Sequence, residues 1–144
     1  MRIAVRNDTA TDLGDIVRRS PVAHVADAER TLRECMKRSI EVQYGMLDGE
    51  VACMWGLIPP TLLSNQAYLW LLTTDIVAEH KFLFVRHSQR YVEEALHVYP
   101  NIIGDVIVGS DSAVRWLRWL GAEFLPPVGG RVPFTIRAKQ WPIL

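Results

Sequence analysis

The stretch Asn101–Phe124, NIIGDVIVGSDSAVRWLRWLGAEF, limits what this chain can fold into more than any other. Its apolar opening, Ile102–Val108, reads as a strand, and Gly109-Ser110-Asp111-Ser112 as a polar turn. A short helix carrying two tryptophans follows, then Gly121 as its stop and a small strand over Ala122–Leu125. Strand, capped helix, glycine and strand in such close succession form one αβ segment, whose helix has to lie on a sheet.

The clearest β signal lies upstream. Two β-rich runs, Ile40–Leu47 and Glu50–Leu57, are joined by Asp48-Gly49, a pair suited to a type I′ turn because glycine accepts positive φ. Pro59-Pro60 closes this hairpin by withholding ladder donors. After a loop, Ala67–Thr73 (AYLWLLT) is mostly apolar, which predicts a central strand covered on both faces.

The remaining elements follow from periodicity and punctuation. Ile3-Ala4-Val5 reads as a short strand, and Thr9-Ala10-Thr11-Asp12 has capping-box spacing that opens a helix over Asp12–Arg19, ended by Pro21. A second helix is predicted over Val25–Arg38, with Val25, Ala28, Leu32, Cys35 and Met36 on one stripe. A long helix is predicted over about Ala78–Val98, with Phe82, Val85, Ser88 or Gln89, Val92, Leu96 and Tyr99 as its core stripe and Pro100 as its stop. The turn cluster Pro126–Gly130 precedes a last strand, Pro133–Arg137. The order is β-α-α-β-β-β-α-β-α-β-β. That is an α/β chain of the mixed α+β kind, with a mostly antiparallel sheet and helices on both faces.

Bulk properties narrow the class. A chain of 144 residues predicts a single domain over 1–144, able to bury a sizeable core. Sixteen basic and sixteen acidic residues cancel, so neither nucleic acid nor a membrane surface is expected as a partner. Cys35 and Cys53 have no metal-type spacing and apolar neighbours, which predicts buried free thiols in a reducing compartment. The first residues lack a signal-type apolar core and no run is long enough to span a bilayer, so a soluble intracellular protein is expected.

The element order resembles the GNAT (GCN5-related N-acetyltransferase) fold over nearly the whole chain. In that family the turn after the fourth strand carries Arg/Gln-x-x-Gly-x-Gly/Ala, whose backbone N–H groups hold the pyrophosphate of acetyl-CoA. A later motif, Asn-x-x-Ala-x-x-x-Tyr-x-x-x-Gly-Phe, supplies a tyrosine that often acts as general acid. Here Ser110 stands in the Asn place, Ala113 matches Ala, Leu117 replaces Tyr, Gly121 matches Gly and Ala122 replaces Phe. Leucine cannot donate a proton. The stretch Thr73–Phe84 has no glycine, and Asp75 and Glu79 would repel a pyrophosphate. The resemblance marks Thr73, Thr74, Ala78, Ser110 and Ala113 as cofactor-binding candidates. It marks Glu41 and Glu50 as candidates for the base that deprotonates an amine, with strand-edge carboxylates as the plain alternative. The implied protein has kept the fold and lost the grip on the cofactor, so no cofactor is expected. The alternative is an active acetyl-CoA-dependent N-acetyltransferase with an atypical cofactor loop.

A narrower resemblance covers Ala67–Phe124. This run looks like the internal virion protein A family of short-tailed phages. The residues that carry it are Trp70, Thr73, Arg86, Arg90, Tyr99, Gly109, Ser110, Val114, Arg115, Trp116, Leu117, Arg118, Leu120 and Gly121. It implies a phage protein made in the cytoplasm of the infected host, acting in virion assembly through contacts with other phage virion or assembly proteins. Trp116 and Trp119 read as core residues against the sheet, or as an interaction hot spot if exposed. Arg115 and Arg118 read as a solvated face rather than an anion site, or as part of that interaction surface. His80 and His87 lie two helical turns apart, too far to share one metal, and no metal site is expected.

Overall fold

The computed structural model describes residues 3–6, 13–21, 23–61, 63–107 and 111–138. In chain order the elements are β1 (Ile3–Arg6), α1 (Leu13–Arg18), α2 (Ala28–Arg38), β2 (Glu41–Leu47), β3 (Glu50–Ile58) and β4 (Ala67–Thr73). Then come α3 (Asp75–Glu79), α4 (Lys81–Val98), β5 (Asn101–Ile107), α5 (Asp111–Trp119), β6 (Glu123–Phe124) and β7 (Arg131–Arg137). The capping box at Thr9–Asp12, the turn residues Val108, Gly109 and Ser110, and the tail Trp141–Leu144 lie outside the described residues. No helix among those described is long and apolar enough to cross a membrane.

The chain gathers into two compact units, residues 1–59 with 69–84 and residues 60–68 with 85–144. In the first, the hydrogen-bonded strand order is β1-β2-β3-β4. The turn at Asp48-Gly49 takes positive φ at both residues, 50° and 83°, as a type I′ turn requires. The β2–β3 register shifts between Gly45 and Met46, where Gly45 faces Cys53 but Met46 faces Val51. Ala52 is therefore the extra residue of a β-bulge.

Burial corrects the expectation for β4. The strand covered on both faces is β3, where every residue from Val51 to Ile58 is buried. In β4, Leu71 is 40% exposed. β3 is flanked by β2 and β4 in the hydrogen-bonded order and carries the most continuous buried run. Gly56 is needed on it: a Cβ there would lie 2.5 Å from the Trp70 indole. That indole fills the space and donates its Nε1–H to Ser39 Oγ at 2.7 Å.

In the second unit the order is β4-β5-β7-β6, with β4 contributing its first residues. The parallel β4–β5 ladder consists of Ala67↔Ile102 and Tyr68↔Ile103. β5 and β6 both pair antiparallel with β7. One side of this sheet is buried, with Ala67, Ile102, Phe134 and Ile136 at 3% exposure or less. The alternate residues Tyr68, Asn101, Asp105, Thr135 and Arg137 are half-buried or exposed.

Two helix boundaries differ from expectation. α2 starts at Ala28 rather than Val25, because Asp27 takes the left-handed conformation (φ 60°) and cannot continue a right-handed helix. The predicted helix Ala78–Val98 begins earlier and is broken at His80 (φ −133°, ψ 39°), which separates the short α3 from α4. β6 is also shorter than Ala122–Leu125: Glu123 and Phe124 pair with Thr135 and Phe134, and Leu125 adds one N–H bond to the Pro133 carbonyl.

Two expectations follow. Gly56→Ala should lower stability by about 2–3 kcal/mol, because the indole would have to leave its slot. A urea midpoint unchanged from the parent would show that Trp70 yields freely. Cys53 is buried and its thiol is pushed up from 9.0 to about 12 by loss of solvation, partly offset by a backbone hydrogen bond at Gly45. Its neutral form is thus favoured by the folded state. That contribution is complete below pH 9.0 and is lost as pH rises toward about 12. Stability measured by urea unfolding should fall above this lower limit, and less steeply in Cys53→Ala.

Candidate functional site

The turn between β4 and α3 is where the GNAT resemblance places a pyrophosphate seat. Its residues are instead tied to the first unit. Thr74 is 4% exposed, and its backbone is extended (φ −106°, ψ 177°) at the N-cap of α3. Its hydroxyl does not cap the helix. It is shared between the carbonyls of Val51 at 3.0 Å and Ala52 at 2.9 Å. Its N–H donates to the same Ala52 carbonyl at 2.8 Å. The bulged residue of β3 thereby anchors the start of α3.

The next amide is also occupied. Asp75 N–H donates to the carbonyl of Arg19 at 3.1 Å, so a free amide at the start of α3 meets a carbonyl just past the end of α1. The Arg19 side chain closes the same contact: Nη2 lies 3.0 Å from Asp75 Oδ1 and 4.0 Å from Glu50 Oε2. A cleft of about 230 Å³ opens beside it, lined by residues including Asp15, Ile16, Arg19, Met46, Glu50 and Thr74. This is smaller than the roughly 300–1,000 Å³ of ordinary ligand pockets.

These residues do not fit a pyrophosphate. The Asp75 N–H is spent on the protein's own carbonyl, and a carboxylate stands at the approach. Of the cofactor candidates, Thr73 is the half-buried last residue of β4 and Thr74 is committed to β3. Ala78 lies in α3, Ala113 is half-buried in α5, and Ser110 is outside the described residues. The base candidates do not come together on one strand. Glu41 is exposed at the start of β2, opposite Leu57, and Glu50 is exposed at the start of β3, 4.0 Å from Arg19 Nη2.

The helix α5 ends as its sequence predicts. Gly121 has φ 98°, Ala122 N–H donates to Leu117 O and Gly121 N–H to Arg118 O, the paired bonds of a Schellman cap. Leu117, in the tyrosine place, is buried at 6% exposure. The tryptophans divide. Trp116 is half-buried and donates its Nε1–H to Ser88 Oγ on α4 at 2.8 Å. Trp119 is 54% exposed, so a core role for it is not upheld. It follows Leu117 by two residues, about 200° around the helix, and must point away when Leu117 points in. Arg115 and Arg118 are exposed, and Arg118 lies over the Phe124 ring, 5.7 Å from its centroid.

One polar group went unnoticed in the sequence. Tyr68 OH donates to Asp105 Oδ2 at 3.3 Å, and Arg131 Nη1 donates to Asp105 Oδ1 at 2.8 Å. They come from three strands, and only the register of β4, β5 and β7 brings them to one side of the sheet. No signal of spacing could have found them. Among the described residues, no cluster of three His, Cys, Asp or Glu side chains could hold a metal ion.

No protein-family model and no curated protein matches the chain. Solved structures do. A Bacillus subtilis acetyltransferase in complex with CoA superposes with TM-score 0.69 at 13% identity, covering 96% of this chain and 99% of that one. The ribosomal-protein-S18-alanine N-acetyltransferase of Escherichia coli gives TM-score 0.68 at 13% identity, with 98% and 97% covered. A GNAT family acetyltransferase from Elizabethkingia anophelis with acetyl-CoA bound gives 0.65 at 9% identity, with 94% and 98% covered. At such identities the likeness concerns architecture, and this chain has the GNAT acetyltransferase fold.

The anchoring of the β4–α3 turn is measurable. Thr74→Val should cost about 1–2 kcal/mol in urea unfolding, because the Val51 and Ala52 carbonyls lose the hydroxyl, and Ala52 keeps only the residue-74 N–H. Asp75→Asn should cost less than about 1 kcal/mol, because its ion pair is largely solvated. The reverse ranking would show that the Arg19–Asp75 pair holds the turn.

Proposed function

We propose that this chain is a catalytically degenerate GNAT-fold protein that works through protein contacts in the assembly of a short-tailed phage particle. It is made in the cytoplasm of the infected cell and acts as an internal virion or assembly protein. The observation that carries this reading is the occupied β4–α3 turn, where Arg19 takes up both the N–H and the carboxylate of Asp75. The buried Leu117, in the place of a proton-donating tyrosine, supports it. So does the run of Trp70, Thr73, Arg86, Arg90, Tyr99 and the Arg115–Gly121 segment, through its resemblance to internal virion protein A.

A second reading is an acetyl-CoA-dependent N-acetyltransferase with an atypical cofactor loop. Two of the structures it superposes on were solved with CoA or acetyl-CoA bound. The Tyr68–Asp105 hydrogen bond favours this reading, because a hydroxyl and a carboxylate joined in this way can move a proton.

Calorimetric titration with acetyl-CoA separates the two. The first reading expects no saturable heat up to about 1 mM ligand and detection of the protein in purified particles or assembly intermediates. Saturable binding with Kd of a few μM, together with thiol release that is lost in Asp105→Asn, would favour the second. A protein confined to the lysate, with particles assembling normally in its absence, would remove the assembly role.

A further inference from the structure

We draw no further inference here: the strongest candidate, the Tyr68–Asp105–Arg131 side-chain cluster held together by the register of β4, β5 and β7, belongs to the site already described, where it supports the acetyltransferase reading.

Discussion

Thr74 is bound to β3 through both its backbone N–H and its hydroxyl, and the arrangement around the candidate site follows from that tie. The bulge at Ala52 supplies the carbonyl that receives two of these bonds. With Thr74 held down, the chain enters α3 at a fixed point and Asp75 is delivered to Arg19. A hydroxyl that could have capped a helix is thereby used to join helix start to sheet. Buried and satisfied, it is worth more there than it would be in water at a helix end.

The same economy marks the first unit more widely. The carbonyl past the end of α1 and the amide at the start of α3 satisfy each other, so neither needs solvent or ligand. In acetyltransferases of this fold the resemblance implies that such amides serve a cofactor. Here the chain completes its own hydrogen bonding, and the Asp75 carboxylate adds a charge that a phosphate would avoid. The architecture matches the acetyltransferase structures to which it is similar, and this turn is closed by the chain's own hydrogen bonds and ion pair.

The αβ segment Asn101–Phe124 shows the opposite balance. Its cap, its buried Leu117 and the pairing of β6 with β7 follow from local rules. The Trp116–Ser88 hydrogen bond ties the helix to α4, and the Phe124 and Phe134 rings, 6.0 Å apart, join β6 to β7. That leaves Arg115, Arg118 and Trp119 outward on a rigid support.

The element order, the type I′ turn at Asp48-Gly49, the Gly121 stop and the absence of a glycine in Thr73–Phe84 were all legible in the sequence. Each depends on local backbone preferences that a neighbouring residue type reveals. The break at His80 was not legible, because neither proline nor glycine marks it and the apolar period runs on across it. The Arg19–Asp75 closure and the Tyr68–Asp105–Arg131 group were also hidden. Their members are far apart in the chain and meet only through strand register. The residue types of Trp116 and Trp119 are alike, yet one is seated and the other exposed. The direction of a side chain on a helix is set by what the helix packs against, and only the tertiary structure decides that.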